Sequence, residues 1–469
     1  MKQLLTTFTT LIALGACSAA DALPGGLPID RTPKPDAVRV QEAQSLKWGM
    51  WVNWSFSTFS GHEWTPGVKD LSMFKPTGCD TDQWCKVAKE AGMGYILFLT
   101  KHHDGFCLWD TKTTDRKVTN HPFKRDVLAE LRKSCDKFGL KLALYFSQGE
   151  FRDNKDYHPG GYTPEMKKAQ LTELLTQYGP IEFLWLDAAQ KDGGLSHEET
   201  ATLCKALQPN CFVGFNHGPR ASQEDLRIGE RGRPAPLTDS SGAGHGSQDA
   251  SKFAGFLVAE FCYPILPLHK GGADWFYSLP VHDNFCHPAR KLYLDYLESV
   301  KYGNFFDLAV NPGYDGRLRA IDVETLQQVG RWIRGEESGP KNLALHKPVE
   351  VSSTFSSQAQ HSKSNINDGD RYTGWSADLK AREAWVTVDL QAEREVSQVM
   401  LCDSPYIRTQ EFDLEAKIGD EWKQIASGTT IRRELWIDFP PVKARLFRLN
   451  LRKTSNTPFL AEFQIIGHE

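Results

Sequence analysis

The chain lacks the features that direct a protein to nucleic acid, to zinc or to a dinucleotide. Its 55 Lys and Arg are balanced by 59 Asp and Glu, which gives a formal net charge of −4 and no basic patch. The ten cysteines include no Cys-x-x-Cys pair and no Cys/His spacing typical of a zinc site. No glycine-rich phosphate loop follows the first predicted strand. We therefore expect no nucleic-acid partner and no cofactor for catalysis.

Long apolar runs are also scarce, and the only candidate for a targeting segment is at the amino terminus. Lys2 precedes an apolar stretch from Leu4 to Ala16, which is too short to span a membrane as a mature helix. Residues 1–20 therefore predict a signal peptide. Leu14-Gly15-Ala16-Cys17 resembles a bacterial lipobox, so we expect a lipid anchor on Cys17 and a periplasmic or outer-membrane lipoprotein. Ordinary cleavage after Ala20 is the alternative.

The other nine cysteines are scattered along the chain and do not describe a disulfide scaffold. Cys79 with Cys85, or Cys204 with Cys211, could pair in an oxidising periplasm. We expect most of the nine to be buried thiols that act as small apolar residues.

The order of predicted elements indicates two domains, as a chain of 469 residues leads one to expect. After a linker at 21–40, strands alternate with amphipathic helices such as 80–91, 126–138 and 166–178. This alternation predicts a parallel sheet, and the number of units favours a catalytic (β/α)8-like TIM barrel over 41–335; a doubly wound sheet is the alternative. The predicted strands are 48–54, 95–100, 140–147, 182–187, 212–216, 256–260 and 305–311.

The composition changes after a short polar hinge at 336–340. From residue 342 to 469 the alternation is that of strands, at 384–390, 396–402, 435–439 and 446–452. This pattern predicts an all-β antiparallel sandwich.

The most informative stretch is the loop that follows the second predicted strand. An apolar run from Tyr95 to Leu99 ends at Lys101-His102-His103-Asp104-Gly105, with Phe106 and Trp109 close behind. Loops at the carboxyl ends of parallel strands hold ligands, and hydrogen-bonding groups beside flat apolar faces suit a sugar. A metal site built on His102, His103 and Asp104 is an alternative, and so are two core histidines bonded to backbone carbonyls.

Hydrolysis of a glycoside requires two carboxyl groups at the anomeric carbon. Asp187 directly follows the apolar strand 181–186, which places a partly desolvated carboxylate at the mouth of a barrel and makes it the candidate nucleophile. A helix-capping aspartate is the alternative. Glu224, Glu230 and Glu260 are the candidates for the acid/base between Asp187 and the last strands. Val258 and Phe261 flank Glu260 with apolar surface, which favours a raised pKa.

The segment from Asp82-Gln83-Trp84 to Trp109 resembles the signature of glycoside hydrolase family 29, the α-L-fucosidases. The resemblance implies that His102 and His103 contact the hydroxyls of fucose. Trp185-Leu186-Asp187 resembles the family's Trp-x-Asp-Gly motif, with Ala188 in place of glycine, which implies that Asp187 is the nucleophile. Glu260-Phe261-Cys262, followed by 273–277, resembles the family's Trp-Glu-x-Cys segment and implies that Glu260 is the acid/base.

Further positions match sugar contacts of the family or offer an aromatic face to the sugar. Val52-Asn53-Trp54-Ser55 has asparagine where the family usually has histidine, which leaves α-L-galactosides and other galacto-configured sugars, β-D-galactosides included, as alternative substrates. The full set of expected substrate-binding residues is Asn53, Glu63, Trp64, His102, His103, Tyr145, Trp185 and Trp275.

The carboxy-terminal segments 342–344, 367–375 and 460–463 resemble the discoidin or coagulation-factor type C fold, which carbohydrate-binding modules of family 32 share. The resemblance implies a structural calcium held by Asp368, Asp370 and Glu462; a plain acidic turn is the alternative.

The sequence thus predicts a secreted, retaining exo-glycosidase, an α-L-fucosidase that releases terminal fucose from fucosylated glycans through a glycosyl-enzyme intermediate. The rivals are a glycosidase for other galacto-configured sugars, a metallohydrolase, and an inactive barrel that only binds carbohydrate.

Overall fold

The computed structural model describes residues 27–151, 157–158, 160–187, 193–239, 255–356, 359–403 and 405–468. The chain divides into two compact units, Met1–Arg331 and Trp332–Glu469. The expected signal peptide and Cys17 lie outside the described residues. Within the described ranges, no helix is both long enough and apolar enough to cross a membrane.

The first unit is a nearly closed barrel of eight parallel strands. Neighbouring strands follow one another in the order β5-β4-β3-β2-β1-β8-β7-β6, so that the first strand pairs with the last. At the remaining gap, Asp225, just before β6, exchanges hydrogen bonds with Val213 of β5. Strand β1 between β2 and β8 is the arrangement of a barrel and not of a doubly wound sheet. The strands are β1 (Trp48–Val52), β2 (Tyr95–Lys101), β3 (Lys141–Ser147), β4 (Phe183–Asp187), β5 (Phe212–Phe215), β6 (Leu226–Arg227), β7 (Val258–Pro264) and β8 (Phe305–Ala309).

Helices of this unit begin and end at the residues that the sequence marks for it. Asp80 and Asp126 accept the backbone N–H groups of Gln83 and Ala129 and so cap α3 and α4. Helix α4 ends at Gly139, whose φ of 66° lies in the left-handed region that favours glycine. The described helices are α1 (Asp36–Leu46), α2 (Phe56–Ser60), α3 (Thr81–Glu90), α4 (Val127–Phe138), α5 (Pro164–Gln177), α6 (His197–Leu207), α7 (Ala289–Tyr302) and α8 (Ala320–Ile333).

Two parts of the barrel unit differ from the expectation. Helix α1 begins at Asp36, inside the segment 21–40 that we expected to be a linker, and Lys34 N donates to Asn210 Oδ1 at 2.9 Å. Strand β6 has only two residues, too few to leave an alternation in the sequence.

The second unit consists of antiparallel strands around its own apolar core, as expected for a sandwich. The predicted pairs 384–390 with 396–402, and 435–439 with 446–452, are each one long strand. Register shifts between Asp389 and Arg394 interrupt the pairing of these two strands without ending either of them. The strands are β9 (Lys341–Asn342), β10 (Val349–Val351), β11 (Trp375–Ser376), β12 (Ala384–Cys402), β13 (Thr409–Ile418), β14 (Glu421–Gly428), β15 (Leu435–Thr454), β16 (Phe459–Leu460) and β17 (Glu462–Gly467).

The cysteines are thiols, and neither expected pair is bonded. All nine cysteines from Cys79 to Cys402 are free, and seven of them are buried, which confirms that most act as small apolar residues.

Candidate active site

A cavity of about 590 Å³ lies at the carboxyl ends of the barrel strands. Asp187 and all eight expected substrate-binding residues line it, so the structure brings these nine predicted positions together. The described lining residues are Trp51, Asn53, Glu63, Trp64, Leu99, His102, His103, Tyr145, Phe151, Trp185, Asp187, Asn216, His217, Glu230, Arg231, Asp274, Trp275 and Phe276.

One wall of the cavity is aromatic. The ring of Trp51 lies 5.7 Å from that of Tyr145, 5.2 Å from that of Trp185 and 5.0 Å from that of Trp275, measured between centroids. Such a cluster offers flat apolar surface to the C–H face of a pyranose or to a methyl group on its ring. Trp64, by contrast, is largely exposed at the cavity rim.

The carboxylate of Asp187 is largely withdrawn from solvent, and Tyr145, Asn216 and His103 contact it. Tyr145 donates to its Oδ2 at 2.7 Å, Asn216 Nδ2 donates to its Oδ1 at 3.2 Å, and His103 Nε2 lies 3.4 Å from Oδ2. Burial alone would raise the pKa of Asp187. The bond and charge of His103, followed by the bonds from Tyr145 and Asn216, hold that pKa below its usual range. Asp187 is therefore ionised at neutral pH, as a nucleophile must be.

A second carboxylate, Glu230, lies close to Asp187. Asn216 Nδ2 also donates to Glu230 Oε2, at 2.9 Å, so one amide group bridges the two residues. The two accepting oxygens are consequently no farther apart than the sum of the two bonds, about 6 Å. Retaining glycosidases hold their carboxyl groups about 5–5.5 Å apart, and inverting ones about 6.5–9.5 Å apart.

The structure does not bring the other two acid/base candidates to the cavity. Glu260, which the sequence favours, is completely buried on β7, and burial raises its pKa in the direction expected, but its side chain is not among the lining residues. Its Oε2 accepts the backbone N–H of Gly229 at 2.8 Å. Glu224 is buried as well, with its two oxygens bonded to the N–H groups of Phe215 and Ala221.

Glu63 and Asn53 hold the loop that carries Trp275. Glu63 Oε2 accepts the backbone N–H groups of Asp274 and Trp275 at 2.8 and 3.0 Å, and Asn53 Nδ2 donates to the carbonyl oxygen of Trp275 at 2.8 Å. Asn53 Oδ1 and His102 Nδ1 are buried at the cavity and have no hydrogen-bond partner within the described part of the chain.

The histidine pair lies at the cavity, whereas Asp104 does not. His103 Nδ1 lies 2.6 Å from Ser147 Oγ, and burial together with the charge of His103 lowers the pKa of His102 well below its usual value. Asp104 does not line the cavity, because its oxygens accept the N–H of Phe106 and the hydroxyl of Thr65. Among the residues that the structure describes, no group of three or more His, Cys, Asp or Glu could hold a metal ion.

The carboxylates of the expected calcium site, in the second unit, also have other partners or positions in the described structure. Asp368 Oδ1 accepts the N–H of Asp370, Asp368 Oδ2 accepts the hydroxyl of Thr373, and Glu462 is buried in β17. The structure does not group these three carboxylates as metal ligands. The calcium stays a prediction, and a melting curve of the full chain with calcium and with chelator would test it.

Sequence reasoning missed several lining residues, above all Asn216. It is the last residue of the predicted strand 212–216, and a polar residue at the carboxyl end of a barrel strand was the signal that could have identified it. Arg231 and Asp274, which pair at 2.8 Å, lie on irregular segments that leave no periodic pattern.

Comparison with known proteins agrees with this geometry. A family model described as "Alpha-L-fucosidase" matches residues 31–337, and one described as "F5/8 type C domain" matches residues 348–463. Alpha-L-fucosidase 1 of Arabidopsis thaliana is 28% identical over 97% of this chain and 91% of its own length.

Solved structures share the fold. A Bacteroides thetaiotaomicron protein aligns with a TM-score of 0.54 and 23% identity, covering 94% of this chain and 99% of the other. A glycoside hydrolase family 29 member from a rumen bacterium aligns with a TM-score of 0.52 and 24% identity, covering 95% and 78%. The family model, which matches more than half of the chain, shows that the chain belongs to the α-L-fucosidases of glycoside hydrolase family 29.

Proposed function

We propose that the chain is a retaining exo-α-L-fucosidase in which Asp187 is the nucleophile and Glu230 is the acid/base. The observation that supports this assignment is the bridge of Asn216 between the two carboxylates, since its two bonds keep the accepting oxygens within about 6 Å of each other, closer than the carboxyl groups of an inverting pair. Fucosylated glycans are the substrate class that the family implies.

The first step forms a glycosyl-enzyme intermediate. A carboxylate oxygen of Asp187 attacks the anomeric carbon of a terminal fucose, and the bond from that carbon to the leaving oxygen breaks. Glu230 gives its proton to the leaving oxygen in the same step. The hydrogen bonds to Asp187 favour its charged form before the attack, and the neutral side chain of His102 stays available to bond a sugar hydroxyl.

The second step returns the enzyme to its starting state. Glu230, now ionised, takes a proton from water, and the water oxygen attacks the anomeric carbon as the bond to Asp187 breaks. Two inversions give a product with the original α configuration. Besides the substrate and water, both proposed steps use side chains of this chain.

The decisive experiment follows azide products with an aryl α-L-fucoside. Asp187→Ala should lose hydrolysis by several orders of magnitude, and azide should then give the inverted β-fucosyl azide from the vacated side. Glu230→Ala should give the α-fucosyl azide, because azide attacks the intermediate from the side that the leaving group used. Wild-type activity in Asp187→Ala would contradict the nucleophile assignment.

The asparagine at position 53 leaves two candidates for the sugar that the enzyme releases. Asn53 lines the cavity, but asparagine is shorter than histidine and uncharged. α-L-Galactosides, which share the galacto configuration, are therefore the competing substrate. A panel of aryl α-L-fucoside, α-L-galactoside and β-D-galactoside decides between them. Secretion and a lipid anchor on Cys17 complete the proposal, and labelling with a radioactive fatty acid would test the anchor.

A further inference from the structure

Glu260 is a buried acid that the proposed reaction does not use. It is completely inaccessible on β7, and its Oε2 accepts the backbone N–H of Gly229 at 2.8 Å. Gly229 directly precedes Glu230 in the chain. Burial of a carboxyl group lowers the stability of the fold unless the group is hydrogen-bonded, and one bond of Glu260 goes to the residue just before Glu230.

Residues of β7 bond both the backbone N–H and the backbone carbonyl of Gly229. Cys262 donates its backbone N–H to the carbonyl oxygen of Gly229 at 3.2 Å, and Glu230 and Cys262 pair as an isolated parallel bridge. Regular pairing of β6 with β7 stops at Arg227, two residues before Gly229. The N–H of Gly229 is therefore bonded by a side chain at a point where the regular ladder has already ended.

The residue after Glu230, Arg231, has a strained backbone conformation. Arg231 adopts a φ of 51°, in the left-handed region that a side chain other than glycine seldom occupies, and its guanidinium pairs with Asp274. Glu230 thus stands between a bonded peptide and a strained turn. Loss of the bond to Gly229 would allow this segment to relax.

Glu260 has a neighbour that suits it to act as a neutral anchor. Asp307 lies on the adjoining strand β8, where it pairs in register with Cys262. Glu260 Oε1 and both oxygens of Asp307 are buried, and the two carboxyl groups lie within hydrogen-bonding reach of each other, with Tyr95 beside Asp307. Burial raises the pKa of both carboxyl groups, and the charge of Glu260 raises that of Asp307 further. One proton shared between the two groups would join one oxygen of each.

We propose that Glu260 is a positioning residue for Glu230: it binds the Gly229 N–H as a neutral acid that shares a proton with Asp307, and so fixes the acid/base in the cavity. This inference rests on the proposed function of Glu230. It assigns Glu260 no proton transfer to or from substrate.

The test compares substitutions at Glu260 with one at Glu230, using an aryl α-L-fucoside. In Glu260→Gln the amide oxygen still accepts from Gly229 and the amide nitrogen donates toward Asp307, so kcat should stay within about threefold of wild type. Glu260→Leu removes the anchor and should lower kcat by about 10²-fold, with KM within about threefold, because misplacement of a reacting group acts on the chemical step. Glu230→Gln should lose most of its kcat.

A control removes a buried side chain of the same unit that is not part of the anchor. Cys204→Ala deletes a buried thiol on α6, so kcat should stay near that of wild type even if the melting temperature falls. If Glu260→Leu does not fold, Glu260→Asp serves instead, since the shorter side chain withdraws its oxygen from Gly229 while it remains an acid.

The outcomes separate the possible failures. No release of fucose by the wild type would defeat the proposed function itself, and normal kcat in Glu230→Gln would defeat the assignment of Glu230. With both of those intact, wild-type kcat in Glu260→Leu or Glu260→Asp would overturn the positioning role. A large loss in Glu260→Gln that azide restores would instead make Glu260 the acid/base.

Discussion

Tyr145 and Asp187 are joined by a hydrogen bond of 2.7 Å from the phenol to the carboxylate. The barrel contains a matching pair away from the cavity, in which the hydroxyl of Tyr178 donates to Asp126 Oδ2 at 2.8 Å. Both tyrosines are buried. The first bond acts on the proposed nucleophile and the second holds the aspartate that caps α4, so the two pairs separate a catalytic effect from a structural one.

Tyr145→Phe should lower kcat/KM on an aryl α-L-fucoside by about tenfold to a hundredfold, because a hydrogen bond to a charged group contributes about 1.5–3 kcal/mol. The bond favours the charged form of Asp187, so its removal raises the pKa of that carboxyl. The acid limb of the kcat/KM profile should therefore move to higher pH. A pH profile of both enzymes measures the shift.

Tyr178→Phe is the control for this prediction. It removes an equivalent phenol–carboxylate bond and should lower the melting temperature, yet leave the pH profile in place. An acid limb that does not move in Tyr145→Phe, or that moves equally in Tyr178→Phe, would contradict the assignment of Asp187 as the group that titrates.

Glu230→Gln should affect substrates according to their leaving groups. A dinitrophenyl fucoside needs little protonation as it departs, so its release should fall far less than that of a fucosylated oligosaccharide. The parallel variant is Glu63→Gln, at another carboxylate on the cavity whose Oε2 holds two backbone N–H groups of the loop 274–275. Leaving-group dependence in Glu63→Gln and not in Glu230→Gln would transfer the acid role to Glu63.

Asn53→Ala should lower kcat/KM on the fucoside by about tenfold, the cost of roughly one hydrogen bond. The change removes the amide that lines the cavity and the bond that holds Trp275. Asn304→Ala is the control, since the side chain of Asn304 bonds the backbone of Ala235 and lies off the cavity; it should reduce thermal stability and leave kcat/KM unchanged. An equal loss in both variants would show that Asn53 acts through stability alone.

The barrel strands were predictable because each buried strand leaves a continuous apolar run that ends in a polar residue. The same reasoning found Asp187, His102 and His103, whose positions depend only on where their strands end. The same reasoning divided β12 and β15 into four strands, which is wrong, because a bulge interrupts the alternation of apolar and polar residues just as a turn does.

The position of the proposed acid/base, Glu230, was less predictable for a physical reason. Val258 and Phe261 correctly indicate that Glu260 is desolvated, but desolvation does not tell a residue that lines a cavity from one inside the wall. Glu230 follows a two-residue strand and precedes a residue of positive φ, so no periodic pattern gives its direction. Glu230 is connected to Asp187 by a tertiary contact, the hydrogen bond from Asn216, which lies 14 residues earlier in the sequence.

A chain shortened to end at Gly335 should hydrolyse aryl fucosides with kcat/KM within about threefold of the full chain, because a small substrate reaches only the first unit. Every described residue that lines the cavity belongs to that unit, and the second unit has a core of its own. Release of fucose from a polymeric glycan should fall further, if the second unit holds the enzyme on its substrate. Circular dichroism of the shortened chain checks that it is folded. A folded chain that has lost its activity on aryl fucosides would show instead that the second unit completes the active site.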